Sequence, residues 1–508
     1  MKPSAYFCVL CLLPISVATG QSEKLVLAHY MTDMVPQTNQ RLIRWIDPEL
    51  ADPQGSTAAL GGLHQTIPMA PLHLKQADLT TAVDFEIRAA RQLGVDGFQF
   101  YYPLVDNTPA LAQRYNQIIS KFLELSDSRY RGFKITLCLA HPHTSQSTTE
   151  DQRIALWSPP IRSLVQQTKS STGWLRRPSG ALLFYLWVGD ALADGVDGLA
   201  NTPQQIHKVG RAYQRLAKAV GSPIEFIYQV RRPQVDAAYV DSIVNTFPAV
   251  WSWTASEEHP EFWDNLARRC QQTGCLYTQT VYPDYYTSKT YRKGSHDHAI
   301  LSNADALRAG ASGIERHYRV TNLAGTQLEL LTRAIRRDAR IINYVTWNDF
   351  PEGHHLAPEV NHNFGPALLL KHFKHAWRSG TPRVDQDVAI VFFKKHRHDA
   401  QPRFSVALKI KSQNQDLAAE DRIQLVTLLT SPAECFLNGK PLGRIAAGLQ
   451  VHAIPSEPGR VRVRVVRGAQ QVIGFETPQA ITGHPLRTDR LTYSYSSAFQ
   501  HEYRRLFK

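Results

Sequence analysis

Between residues 345 and 355 the chain reads VTWNDFPEGHH, which sets Asp349 and Glu352 three residues apart among Trp347, Asn348, His354 and His355. Two neighbouring carboxyl groups can divide one reaction between them. The protonated one gives its proton to a leaving oxygen, and the ionised one activates water or attacks directly, as glycosidic bond cleavage requires. An extended chain would hold their α-carbons at most about 10–11 Å apart. Pro351 restricts the segment and presses Phe350 toward extended backbone. This predicts carboxyl groups roughly 6–9 Å apart, the spacing of an inverting pair with a water between them. Converging side chains would bring them closer.

Such a pair needs a rigid platform. Short apolar runs rich in β-branched and aromatic residues recur at 25–31 (LVLAHYM), 96–102, 133–140, 181–188, 224–230, 249–255, 275–283 and 339–347 (ARIINYVTW). They are apolar on both faces, as strands of a doubly covered parallel sheet are. Amphipathic stretches lie between them. One opens at Thr202-Pro203 and closes at Gly221, the expected punctuation of a helix. Eight such units predict an α/β fold, a (β/α)8 barrel, with an open three-layer sheet as the rival arrangement. GIERHYR (313–319) reads as loop, because a ninth strand does not fit the barrel. From 383 to 480 short alternating strands separated by turn signals predict an antiparallel β-sandwich. Residues 481–508 read as a loosely docked tail, and 21–382 as the barrel.

In such a barrel the C-terminal strand ends face the active site, and the N-terminal ends hold the fold together. By this rule His29, Tyr101, Tyr102, Asp190, Trp253, Tyr282, Trp347, Asn348 and His354 are candidates for substrate contact, beside the catalytic candidates Asp349 and Glu352. Asp33, Asp106, His141, His143, Trp187, Glu257 and Asp284 share those strand ends. Asp96 opens its strand and belongs at the opposite rim, as a loop anchor. Rings interspersed with hydrogen-bonding groups suit sugars, whose C–H faces stack and whose hydroxyls need directed partners. No Cys/His spacing matches a zinc site, and neither a phosphate cradle nor a G-x-S-x-G elbow is present. The chemistry is therefore expected to need no metal and no cofactor.

Composition narrows the class further. The 508 residues are 43% hydrophobic and 20% charged, with a formal charge of +13, which describes a globular chain of two domains. The positive charge is spread rather than striped, which argues against a nucleic-acid partner. Residues 1–20 read as a signal peptide whose apolar core, Phe7–Ala18, is too short to span a bilayer. The expectation is a secreted or periplasmic protein with no membrane partner. Cys270 and Cys275 bracket a turn-like QQTG, consistent with a local disulfide or with two free thiols.

VTWNDFPEGHHLAP resembles the TWNDxxESHYI motif of glycoside hydrolase family 71, the α-1,3-glucanases or mutanases. LVLAHYMTD, DFEIRAARQLGVDGFQF, PAVWSWTASE and GCLYTQTVYPDYYT keep the family's order, and DVAIVFFKKHRHDA and LLTSPAECFLNG resemble its C-terminal β-domain. The likeness spans roughly residues 24–480 and points to a divergent, bacterial-type member. It implies an inverting hydrolase of an α-glucan polysaccharide, with Asp349 as general base and Glu352 as general acid, and it adds some functional weight to Asp96. Phe350-Pro351 replaces a Tyr-Gly-like pair, and Gly353-His354-His355 replaces Ser-His-Tyr. The endo-α-mannosidases, with a related W-N-E-x-x-E ending, are the enzymatic alternative. A glycan-binding protein without turnover is the non-enzymatic one.

Overall fold

Eight strands close into a parallel barrel in the order β1-β8-β7-β6-β5-β4-β3-β2. In this computed structural model, residues 23–36, 68–70, 74, 78–104, 109–142, 148–233, 236–293, 296–299, 313–401, 408–485 and 490–508 are described. The strands are β1 Leu25–Tyr30, β2 Gly97–Pro103, β3 Lys134–Ala140, β4 Leu182–Trp187, β5 Ile224–Gln229, β6 Ala249–Trp251, β7 Leu276–Val281 and β8 Ile341–Tyr344. The covering helices are α1 Leu79–Gln92, α2 Pro109–Ser128, α3 Glu150–Gln167, α4 Pro203–Val220, α5 Ala237–Thr246, α6 Pro260–Thr273, α7 Gly325–Arg336 and α8 Gly365–Ser379. Thr202 caps α4 by accepting from the Gln205 N–H, Pro203 stands in its first turn, and Gly221 ends it at φ 77°. The proposed leader at 1–20, Asp106 and His143 lie outside the described residues.

Strand alternation sorts the barrel wall. Leu25, Leu27, Cys138, Leu183, Tyr185, Ile227, Ala249, Trp251 and Ile341 form one apolar cluster inside the barrel. Their neighbours Val26, Ala28, Tyr30, Phe98, Phe100 and Phe184 belong to the larger core shared with the helices. Polar groups inside are paired: Asn343 accepts from Tyr185 Oη at 2.7 Å and donates to Thr278 Oγ1 at 2.6 Å. At the N-terminal rim Asp96 accepts from Val26 N (2.8 Å), Lys374 (2.6 Å) and Arg378 (2.8 Å). It clamps β1 to α8, as a loop anchor should.

GIERHYR departs from the sequence expectation. Gly313–Tyr318 is a strand, but outside the barrel. It pairs antiparallel with Tyr286–Lys293 and parallel with Leu408–Ser412. The excursion between β7 and α7 thus joins a sheet with the C-terminal region, and a ninth strand needs no place in the barrel. The sandwich faces one sheet (Gly448–Pro455, Arg422–Leu429, Val388–Lys394, Thr492–Ser496) against another (Lys440–Ile445, Ala433–Leu437, Gly459–Arg467, Gln470–Ile481). Val391, Phe393, Leu425, Cys435, Val463 and Val465 fill the space between them.

The last residues are no loose tail. Thr492–Ser496 pairs with Val388–Lys394, and α9 Phe499–Phe507 lies on α1. Arg88 donates to Leu506 O (2.8 Å), Gln92 to Glu502 O (3.0 Å), and Lys371 pairs with Glu502 at 2.8 Å. Phe499, Tyr503 and Phe507 recur at i, i+4 and i+8, a helical stripe that the high Lys/Arg and Tyr/Ser content obscured. Cys138, Cys270, Cys275 and Cys435 are all buried free thiols, so the open question at Cys270 and Cys275 resolves to thiols.

The loop after β8 is anchored to the same side of the barrel. The Trp347 indole donates to the buried Glu86 of α1 at 2.5 Å. Burial raises the Glu86 carboxyl from 4.5 to about 7, against the opposing pull of the Trp347 and Tyr30 hydrogen bonds. A carboxyl pKa that is higher folded than unfolded contributes stability that is full below the unfolded value and lost as pH rises through the folded one. Across pH 4.5 to 7 the Glu86 contribution therefore falls by about 3 kcal/mol. Glu86→Gln keeps an acceptor for the indole and removes the titration. Guanidinium unfolding from pH 4 to 8 is expected to show a wild-type-minus-variant difference that declines by this amount across that window.

Candidate active site

β8 ends in a turn that sets the two acids. Asp349 stands just before the 3-10 turn Phe350–Glu352, and Gly353 follows it at φ 72°. The Asp349 N–H donates to Thr346 Oγ1 at 2.9 Å, and the Glu352 N–H returns to Asp349 O at 3.2 Å. A 3-10 turn has three residues per turn, so side chains at i and i+3 fall on one side. Carboxylate oxygens of Asp349 and Glu352 and a ring nitrogen of His354 accordingly lie within 4.8 Å of one another. This is closer than the 6–9 Å inferred from an extended segment. Pro351 permits the turn as readily as it permits extension, and the turn is what forms.

His354 is wholly buried and holds the acid in place. Its Nε2 meets Glu352 Oε2 at 2.9 Å, and its Nδ1 faces Thr346 Oγ1 at 3.3 Å. Tyr285 stacks flat on the ring, with centroids 5.5 Å apart at 3°, and Trp253 meets it edge-on at 5.9 Å. Asp349 is buried and Glu352 is partly open. Asp349, Glu352 and His354 offer donors close enough to share a cation, but two of them are the pair that hydrolysis would use.

The last inward positions of β1, β2, β4 and the segment after β6 complete an aromatic ring at the mouth. His29 lies 4.9 Å from Trp253 and 6.1 Å from Tyr101, and Trp187 lies 5.0 Å from Trp253. Burial, reinforced by the positive charge His354 can carry, lowers His29 to about 3 despite the Gln99 amide. The imidazole is therefore neutral at ordinary pH. Neither of its nitrogens has a hydrogen-bond partner among the described residues, an arrangement a bound hydroxyl would satisfy. From Trp187 and Trp253 a groove of about 330 Å³ continues over Gln229, Arg231, Glu258 and His259. His141, Val188 and Ala255, just past strand ends, have φ of 50°, 53° and 64°. Such left-handed backbone costs on the order of 1–3 kcal/mol per residue and tends to gather at functional rims.

Of the residues expected at the mouth, Asp349, Glu352, His354, His29, Tyr101 and Trp253 come together there. Five do not. Tyr102 follows the inward Tyr101 and so faces out, its hydroxyl on Asn116 at 3.0 Å. Trp347 is buried in the core beside Phe98 and serves Glu86. Asn348 uses both ends of its amide on the Met31 backbone, at 2.7 and 3.2 Å, tying the loop after β8 to the one after β1. Asp190 accepts from Ala200 N at 3.0 Å inside the fold, and burial raises it to about 6. Tyr282 is buried with its hydroxyl on Glu257 at 2.6 Å, and Arg319 meets the other oxygen of Glu257 at 2.8 Å. Sequence reasoning left three contributors unassigned. Trp187 and His141 stood among the strand-end residues, and Tyr285 lies one residue past the strand-end Asp284, so that rule carried to one further position would have found it.

A closed (β/α)8 barrel with paired carboxylates and stacked rings at its C-terminal mouth is the architecture of a glycoside hydrolase. The model of glycosyl hydrolase family 71 matches residues 328–495, from α7 through the turn with both acids to the last sandwich strand. No curated protein sequence matches the chain. Among solved structures, a GH99 endo-α-mannosidase from Bacteroides thetaiotaomicron is similar at 14% identity and TM-score 0.46, over 70% of this chain and 99% of that one. A glycosyl hydrolase family 2 member from Bacteroides cellulosilyticus is similar at 11% identity and TM-score 0.41, over 90% of this chain and 46% of that one.

The turn makes a direct prediction. At Gly353 a Cβ would collide with the Tyr286 ring, in a backbone conformation that side-chain-bearing residues rarely adopt. Gly353→Ala is expected to cost roughly 1–2 kcal/mol in backbone strain and to lower kcat by about 10–100-fold through the displaced pair. Guanidinium midpoints and initial rates measure the two effects.

Proposed function

We propose that the protein hydrolyses an α-glucan, most directly an α-1,3-linked one, with Asp349 and Glu352 as the catalytic acids. The observation that carries this reading is the pair itself, brought within 4.8 Å at the barrel mouth beside His29, Tyr101, Trp187 and Trp253. Glu352, the more open of the two and bonded to His354, is suited to give its proton to the leaving oxygen. Asp349, held by the Thr346 hydroxyl through its own backbone, is suited to act as base. His354 positions Glu352 and supplies a charge partner for it once the proton has gone. The neutral His29 offers an acceptor or a donor to a sugar hydroxyl, and the rings offer faces to its C–H surfaces.

The family pattern implies inversion at the anomeric carbon. The short separation favours a second course, double displacement with retention, for which carboxyl groups lie about 5–5.5 Å apart rather than 6.5–9.5 Å. The apolar stretch Phe7–Ala18 supports action outside the cytoplasm, and among the described residues no helix is long and apolar enough to cross a membrane.

Incubation with α-1,3-, α-1,4- and α-1,6-glucans and with α-mannan, followed by proton NMR of the first product, tests substrate and course together. The expected outcome is release of sugar from the α-1,3-glucan. A new β-configured reducing end would mark inversion and an α-configured one retention. Release from the mannan alone would move the substrate to the mannosidase alternative. Inertness on the whole panel would contradict the hydrolase reading.

A further inference from the structure

Just past the catalytic turn, three buried side chains converge: His355, Glu359 and His362. One donor atom from each lies within 4.8 Å of the others. His355 Nε2 and His362 Nδ1 are each 3.8 Å from Glu359 Oε1. We propose that His355, Glu359 and His362 form a structural site for a divalent transition-metal ion of the zinc(II) class, at the junction of the barrel and the β-sandwich.

Four observations carry the assignment. Among the described residues neither nitrogen of His355 has a hydrogen-bond partner, nor has Nδ1 of His362, although both side chains are more than 90% buried. Buried imidazole nitrogens are ordinarily satisfied, and two of these, His355 Nε2 and His362 Nδ1, face the same Glu359 oxygen. The second observation is the far side of His362, where Nε2 meets Asp284 Oδ2 at 3.5 Å. A carboxylate on the outer nitrogen turns the inner one into a bare donor, the arrangement that orients metal-bound histidines.

The third is Glu359 itself. Its carboxylate accepts the Asn361 N–H at 2.6 Å and the His362 N–H, so it is fixed in place with Oε1 toward the two rings. The fourth is charge. Asp284, Glu359 and Glu420 are buried together, and Lys394 serves both Asp284 (3.9 Å) and Glu420 (3.2 Å). Arg490 nearby is engaged by Asp421 at 3.0 Å. Three buried carboxylates thus share one lysine ammonium, a setting that favours a bound cation.

The donors suit the ion. Two imidazoles and a carboxylate are ligands of zinc, with bonds of about 2.0–2.2 Å, which sets tetrahedral ligands roughly 3.4 Å apart, against 3.8 Å here between each imidazole nitrogen and Glu359 Oε1. A search limited to Cys and His spacing passes over H-x3-E-x2-H because one ligand is a carboxylate. His355 is also where this chain departs from the Ser-His-Tyr of its family pattern. Such a site would fasten the segment after Glu352 to the sandwich, where the Asn361 carbonyl and the Asn363 amide already bind the backbone of Ser494 at 2.8 Å each.

Protein from zinc-supplemented cells, desalted and analysed for metal by mass spectrometry, provides the test. The wild type is expected to carry about one zinc per chain, as is Asp349→Asn, while His355→Phe retains less than a tenth of that. Wild type carrying no more zinc than His355→Phe would overturn the site. So would loss of zinc in Asp349→Asn alone, which would place the ion at the catalytic pair. If His355→Phe does not fold, wild type from cobalt-supplemented cells decides. Visible absorption of a four- or five-coordinate cobalt(II) bound by nitrogen and oxygen supports the site, and its absence overturns it. None of these readouts depends on hydrolysis.

Discussion

The turn Phe350–Glu352 is the constraint on which the rest of the site depends. A carboxylate pair can act on one bond only if the backbone holds both acids at fixed separation. Here a single 3-10 turn does so, closed by Glu352 N on Asp349 O and by Gly353 N on Phe350 O. Everything around it restrains that turn. The Thr346 hydroxyl takes the Asp349 N–H, the Thr346 N–H donates to His354 O at 2.7 Å, and Leu356 and Ala357 return to Trp347 O. Trp347 in turn is pinned by Glu86, and its N–H by His29 O at 2.6 Å. Residues that first looked like substrate contacts are the supports of the pair.

Closure of the barrel then decides what the substrate would meet. Eight strands with strict alternation offer each inward position to a layer, and the top layer collects His29, Tyr101, Trp187 and Trp253. That layer is aromatic and includes the neutral His29, while the layer beneath is closed by Tyr185, Asn343 and Thr278. The mouth therefore lies over a packed interior. The excursion after β7 supplies Tyr285, stacked on His354, to its rim.

Much of this was legible in the sequence. Eight apolar runs with capped helices between them determine the barrel, because both features are local. Position along a strand correctly separated Asp96, at the bottom rim, from Asp349 and Glu352. What local pattern does not carry is the direction of a side chain at a strand end. Tyr101 and Tyr102 are equivalent as letters and opposite in space, and Trp347 reads as a platform yet lies in the core. Nor does it carry long-range pairing. Gly313–Tyr318 finds its partner in Leu408–Ser412, almost a hundred residues on, and Phe499–Phe507 finds α1 more than four hundred residues back. The sequence leaves two spacings of the acids open for a related reason, since a proline fixes φ but leaves ψ to choose between extension and a turn.

The central claim is that Asp349 and Glu352, set by this turn, perform the chemistry. Reducing-end release from α-1,3-glucan by Asp349→Asn and Glu352→Gln, each checked for an intact fold by circular dichroism, tests it most directly. Each substitution keeps size and hydrogen bonding and removes only the ionisable group, so kcat is expected to fall about 10³-fold with little change in KM. Near-wild-type kcat in either folded variant would contradict the account.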